Sequence, residues 1–271
     1  MASAVWTGVL TCGLVSLPVQ LFAATEDHAI RFHQLQRGTS DRVRNKRVNE
    51  RTGEEVPYNE IVKGYPTGDG FVVVEPDELA DIAPGRSRAL EVIGFVDLDQ
   101  VDPVYYRSSY YLAPDGAEYG KVYALLREAL ARTGRAGLGT FVMRGREYLT
   151  TVRPSADVLV ADVLRWATEV RDPHRELGGS LPRHAETTGA EIDTAVQLIE
   201  AMAIDWALQS YQDTYQQRVR ALVEAKRAGG TIEPAVPPPR STAMVDLMDA
   251  LQASVEHAKT TTARGGRDAP N

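Results

Sequence analysis

VWTGVLTCGLVSLPVQLF, residues 5–22, decides the fold. Val5, Thr7, Val9 and Thr11 fall on one side of an extended chain and Trp6, Leu10 and Cys12 near the other, which is the period of two of a strand. Gly13 and Pro18 interrupt the apolar run well short of the roughly 18 unbroken residues of a membrane helix. The start carries no positive charge of the kind that opens a secretory leader. The stretch therefore reads as a strand pair, with no membrane segment. Cys12 is the single cysteine of 271 residues, so no internal disulfide can form, and a cytoplasmic, nucleoid-associated location is expected.

The same texture continues outward to about Arg153. FVVVE follows the turn Thr67-Gly68-Asp69-Gly70, ALEVIGFVDL begins at Ala89, and VYYRSSYYLA precedes Pro114-Asp115-Gly116. Short β-branched and aromatic runs between turn residues predict a strand-rich domain. Val122, Leu125, Leu126, Ala129 and Leu130 recur at helical spacing and stop at Thr133-Gly134, after which GTFVMR and REYLTTVRP read as another strand pair. Residues 156–166 are ambiguous in period. A loop rich in Pro, Gly, His and charge runs from Arg171 to Gly189. Beyond it the period becomes helical, first through Ile192, Ala195, Val196, Ile199, Met202, Ala203 and Trp206, then through Tyr211, Tyr215, Val219, Leu222 and Val223.

The expected organisation is α+β: a strand-rich core over 1–186, a helical arm over 187–230, a proline-rich linker over 231–240, a short amphipathic helix over 241–258 and a disordered tail over 259–271. Met244, Leu247, Met248, Leu251 and Val255 form the stripe of that last helix, a candidate partner-docking or self-packing element.

Charge is distributed unevenly. The chain has a formal net charge of −7, yet Arg31, Arg37, Arg42, Arg44, Lys46, Arg47 and Arg51 face only Asp41 and Glu50 within their own tract. Acid dominates directly afterwards, from Glu54 to Asp102. Such a division can offer one positive face to a polyanion. In DRVRNKRV, alternation would set Arg42, Arg44 and Lys46 along one strand face at about 6.6–7 Å, a spacing that suits a phosphate backbone. A second basic group contains Arg144, Arg146 and Arg153. No base-reading motif accompanies them, so any nucleic-acid contact would be electrostatic and sequence-independent. An ordinary solvated strand face with local ion pairs remains equally open.

Other chemistries are weaker. The five histidines are scattered and no CxxC or HxxxH pair exists, so no metal site is expected. No GxSxG elbow supports a nucleophile. Asp97, Asp99 and Asp102 could form a divalent-metal cluster of a phosphodiesterase, the one enzymatic alternative, but Pro103 makes a solvated strand end the cheaper reading.

Several phrases together carry a resemblance. Residues 5–21 nearly reproduce IWxGxxxxGLVxxPVxL, and AATEDHAIRFHQL (23–35), KRV (46–48), TGEEVPYNEIVKGY (52–65), DPVYYRSSYYLAP (102–114) and YALLREAL (123–130) follow in order. The chain thereby resembles the prokaryotic Ku family over its length to about Gly229. The resemblance implies a β-barrel core with ring-forming arms and a C-terminal helical arm. It also implies a homodimer encircling double-stranded DNA ends, and repair of double-strand breaks by non-homologous end joining. Recruitment of an ATP-dependent end-joining DNA ligase, ligase D, would follow, with no catalysis and no cofactor of the protein's own. Arg31, Arg42, Arg44, Lys46, Arg47, Arg144, Arg146 and Arg153 are expected to face the DNA, an assignment resting on charge placement. Where many relatives carry metal-spaced cysteines, this chain has Asn49, Glu50 and Arg51, so no zinc is carried over, and its tail holds only Lys259, Arg264 and Arg267.

Overall fold

The computed structural model describes residues 3–82, 88–181, 188–230 and 253–256. The chain divides into two compact units between Glu176 and Leu177. In the first, β1 (Trp6–Cys12) and β2 (Val15–Ala23) form the hairpin that the 5–22 alternation predicts, paired from Trp6 with Leu21 to Cys12 with Val15. There follow β3 (Lys63–Thr67), β4 (Gly70–Val74), α1 (Pro76–Ile82), β5 (Ala89–Asp97), β6 (Tyr106–Pro114) and α2 (Gly120–Thr133). Next come β7 (Arg135–Met143), β8 (Arg146–Ser155), β9 (Val158–Leu164) and the short α3 (Pro173–Leu177).

Seven strands close a barrel in the order β1-β2-β6-β9-β8-β7-β5, antiparallel throughout except where β5 meets β1 in parallel. The α+β expectation, with a barrel core, is met. Closure removes the free strand edges an open sheet would leave. The interior is filled by Leu10, Leu17, Val19, Leu21, Leu90, Leu112, Phe141, Val152, Leu159 and Val163, each at most 2% exposed. A buried Leu or Phe contributes roughly 1.5–3 kcal/mol relative to exposure. Trp6 packs edge-on against Phe141 at 5.5 Å between ring centroids, and its Nε1–H donates to the Val142 carbonyl at 2.9 Å. β5 passes so close to β7 that a Cβ on Gly139 would lie 2.2 Å from the Glu91 carbonyl oxygen, so only glycine fits there.

Residues 156–166 lose their period because β9 is buried on both faces. Leu159, Ala161 and Val163 point into the core, while Val160, Asp162 and Leu164 on the opposite face are at most 6% exposed. α2 stops at Gly134, whose φ of 65° provides the left-handed cap. Tyr123 fixes this helix to the barrel: its hydroxyl donates to the Leu112 carbonyl (2.8 Å) and accepts from the Leu159 N–H (2.7 Å). Burial raises the Tyr123 phenol above its ordinary pKa, partly offset by the Leu159 N–H and Arg127, so it stays a donor.

In the second unit, α4 (Gly189–Ala201) begins at a reciprocal cap: the Glu191 N–H donates to Thr188 Oγ1 (3.3 Å), and the Thr188 N–H donates to Glu191 Oε2 (2.6 Å). α5 (Thr214–Arg227) is capped by Asp213, which accepts from the Gln216 N–H at 2.9 Å. The helical stripe is shorter than its apolar pattern, which runs to Trp206. α4 ends at Ala201 and Trp206 is 87% exposed. Tyr211 likewise precedes α5. Ile192 (51%), Val196 (45%) and Ile199 (71%) leave the α4 stripe largely in solvent.

Candidate nucleic-acid interface

Between β2 and β5 the chain makes an insertion that takes no part in the barrel. From Ala24 to Val62 it is irregular, stitched by isolated bridges between Leu35 and Arg42 and between Val48 and Glu55. Two loops result. The Val43 N–H donates to the Gln34 carbonyl (2.9 Å) and the Gln36 N–H to that of Asp41 (2.8 Å) in one; the Val56 N–H to that of Arg47 (2.9 Å) and the Asn49 N–H to that of Glu54 (2.8 Å) close the other. The strand face expected for Arg42, Arg44 and Lys46 is therefore not formed. Alternation specifies a strand only where a ladder partner runs alongside, and here pairing occurs at single residues.

The cations are exposed all the same, and their surroundings differ. The Arg42 guanidinium lies 3.0 Å from His33 Nδ1, Lys46 Nζ pairs with Glu55 at 2.6 Å, and Arg47 stands 4.9 Å over the Tyr58 ring. Arg31 and Arg44 have no ion pair among the described residues. Arg37 and Arg51 share that exposure and belong to the same tract, though the DNA-facing set drawn from charge placement omits them. Tyr58 also escapes a search for basic residues. Its signal is its position after the loop that carries Arg47.

The second basic group is split by the structure. Arg144 and Arg146 flank Gly145 at the tight β7–β8 turn, where Met143 pairs with Arg146. Arg144 (φ 53°) and Gly145 (φ 73°) both take left-handed backbone, the geometry of a type I′ hairpin turn that Asn-Gly fills most comfortably. Arg153 does something else. Its Nε donates to Asp162 Oδ2 at 2.6 Å, and Ser109 Oγ donates to Asp162 Oδ1 at 2.5 Å. Asp162 is 2% exposed and the Arg153 side chain 30%, so the carboxylate end of this ion pair is buried and Arg153 is locally neutralised. The three line an open groove of about 620 Å³ with Tyr106 and Asp99. Burial, then Asp162, raise the Tyr106 pKa against the opposing effect of Arg153.

The acidic run does not converge. β5 ends at Asp97, so Asp97 and Asp99 do not share a strand face. Asp97 pairs with Arg135 (3.1 Å), Asp102 accepts the Val104 N–H (2.9 Å), and Asp99 sits in a 3₁₀ turn. No group of three or more His, Cys, Asp or Glu residues among those described is placed to hold a metal ion. No helix among them is long and apolar enough to cross a membrane. Of the docking stripe, Met244, Leu247, Met248 and Leu251 lie outside the described residues, and Val255, within the helical turn 253–256, is 5% exposed.

Comparison with known proteins follows the barrel. Residues 11–194 match the family model of the Ku70/Ku80 β-barrel domain. The chain belongs to the Ku family. Within it, "Non-homologous end joining protein Ku 3" of Saccharopolyspora erythraea is 67% identical over 247 residues, covering 91% of this chain and 94% of that one. "Non-homologous end joining protein Ku 1" of the same organism is 48% identical over 267 residues, with 98% and 82% covered. The Ku protein of Mycobacterium tuberculosis is 37% identical over 262 residues, with 93% and 94% covered. The Ku barrel model starts inside β1 and ends inside α4, so it spans the basic insertion and both basic groups.

Proposed function

We propose that this protein binds double-stranded DNA ends without regard to sequence and acts in non-homologous end joining, as a homodimer whose two copies close a ring around the duplex. The observation that carries this reading is the exposed cationic insertion, Arg31 to Arg51, set in an otherwise acidic chain of the Ku family. Phosphate contacts of this kind supply affinity but no sequence information. Selectivity for ends then comes from threading. The acidic remainder discourages lateral contact with intact DNA.

Arg31, Arg42, Arg44, Lys46, Arg47, Arg144 and Arg146 form the DNA-facing set, and Arg153 contributes least because Asp162 already neutralises it. A second copy is supported by the apolar surface one chain leaves uncovered on the insertion and on α4, including Phe32 (69%), Tyr65 (69%), Phe71 (74%) and Ile199 (71%). Once threaded, the protein holds ends for ligase D and performs no chemistry itself. Met244, Leu247, Met248, Leu251 and Val255 are the candidate ligase contact or a self-packing element, and the burial of Val255, 5% exposed, supports self-packing at that position.

The test compares a linear duplex with the same sequence as a covalently closed circle. Retention on the linear form alone is expected, and equal binding to circles overturns the ring. Replacing Arg42, Arg44 and Lys46 by alanine should reduce the slope of log K against log salt by about 2.7, since each phosphate left unneutralised takes away about 0.9. An unchanged slope removes these residues from the interface.

A further inference from the structure

A single chain leaves the hairpin β3–β4 almost wholly exposed. It is a two-stranded sheet outside the barrel, with nine of its ten residues exposed and Val74 half-buried. Both faces are apolar. Tyr65, Val72 and Val74 share one face; Pro66, Phe71 and Val73 share the other. An isolated hairpin of this size is marginal in water at best.

Its two edges are not equivalent. Pro66 stands opposite Phe71 and has no N–H, so this pair cannot exchange the two bonds of a hydrogen-bonded position. Alternation then assigns the mutual bonds to Thr67 with Gly70, Tyr65 with Val72 and Lys63 with Val74. Gly64 and Pro66 consequently turn their polar backbone groups out from β3, and Phe71 and Val73 turn theirs out from β4. Pro66 blocks the β3 edge against a further strand. The β4 edge has no such block, and no backbone hydrogen bond from Phe71 or Val73 leads outside the hairpin among the described residues.

We propose that β4 pairs with β4 of a second copy, antiparallel about a two-fold axis at Val72, making one four-stranded sheet from two hairpins. The parity is self-consistent. With Val72 opposite its own counterpart, Phe71 meets Val73 of the other copy twice, and the outward groups of both form four backbone hydrogen bonds. Each face gains a continuous apolar cluster, with Phe71 and Val73 of both copies on one side and the two Val72 side chains on the other. The pairing is confined to residues 71–73, because the same register would set Asp69 opposite Glu75, two like charges beyond the strand ends. The contact rests on the homodimer reading and specifies where its insertions meet.

The single cysteine makes a direct test possible. At a non-hydrogen-bonded antiparallel position, Cα atoms lie about 4.5 Å apart, within the roughly 4.4–6.8 Å that a disulfide spans. Val72→Cys in a Cys12→Ser chain should therefore give a covalent dimer under mild oxidant, seen on a non-reducing gel, while Val74→Cys in the same background should not. A mixture of Phe71→Cys and Val73→Cys chains should cross-link with each other, whereas Phe71→Cys alone should not. Val73→Pro removes an outward N–H and leaves the β3–β4 ladder intact, so it should weaken self-association about tenfold or more in sedimentation. If the chain sediments as a dimer but Val72→Cys does not cross-link, the β4 pairing is wrong and the homodimer stands. If it sediments as a monomer at every concentration, both fall.

Discussion

Truncating Arg153 to alanine should damage the fold and leave DNA binding by the folded protein nearly intact. Asp162, at 2% exposure, would lose its 2.6 Å partner and retain only Ser109. A carboxylate stranded in that way costs about 3–5 kcal/mol. That is a large share of the roughly 5–15 kcal/mol by which a folded protein is stable. Urea unfolding, at fixed protein concentration because association adds to stability, should show the midpoint falling by about 1–2.5 M for a slope near 2–3 kcal/mol per M. Replacing both partners, Arg153→Met with Asp162→Leu, removes the stranded charge, and stability should return to within about 1 kcal/mol of the parent or exceed it. The salt slope of DNA binding, measured at low temperature where the variants are folded, should not move. A single substitution costing under about 1 kcal/mol, or a double one as damaging as the single, would refute the buried-pair argument. A slope reduced by about 0.9 would restore Arg153 to the phosphate-contacting set.

Arg144→Asn keeps a residue content with left-handed backbone and removes a charge. Stability should rise by about 1 kcal/mol while the salt slope falls by about 0.9, and a variant that gains stability without losing binding shows that Arg144 contacts no phosphate. Thr151 Oγ1 is buried with no hydrogen-bond partner among the described residues, so the isosteric Thr151→Val should stabilise by about 1 kcal/mol in urea unfolding; destabilisation would reveal an unseen partner. The Glu191 carboxyl is held below its ordinary pKa by the Thr188 N–H and hydroxyl. A depressed carboxylate stabilises above its unfolded pKa and loses that contribution as pH falls through the folded value. Amide protection in the first turn of α4, measured against the intrinsic exchange rate at each pH, should therefore fall below about pH 4, and Thr188→Ala should lower it already at neutral pH.

The barrel is legible wherever one face of a strand is wet. Residues 5–22 alternate because β1 and β2 each bury one side, whereas β9 reads ambiguously because Asp162 and Val160 are as buried as Leu159 and Ala161. Local sequence records only a strand's own faces, and a strand covered twice has no polar face to record. The same limit governs the site. That seven cations gather between Arg31 and Arg51 is visible in the letters, but Arg153 is disqualified by a carboxylate in β9 and a hydroxyl 53 residues upstream of it in β6. Only the register that sets Ser109 and Thr151 on either side of Asp162, with Arg153 two residues beyond Thr151 on the same face of β8, brings them together. Conversely, DRVRNKRV alternates well enough for a strand and is not one. Four positive charges repel when drawn into a single ladder, and the irregular loops let Glu55, Tyr58 and His33 reach three of them separately. A pattern that would be flawed as a sheet is workable as the proposed phosphate-facing surface, which is why the segment least like regular structure carries the charge signal on which that proposal rests.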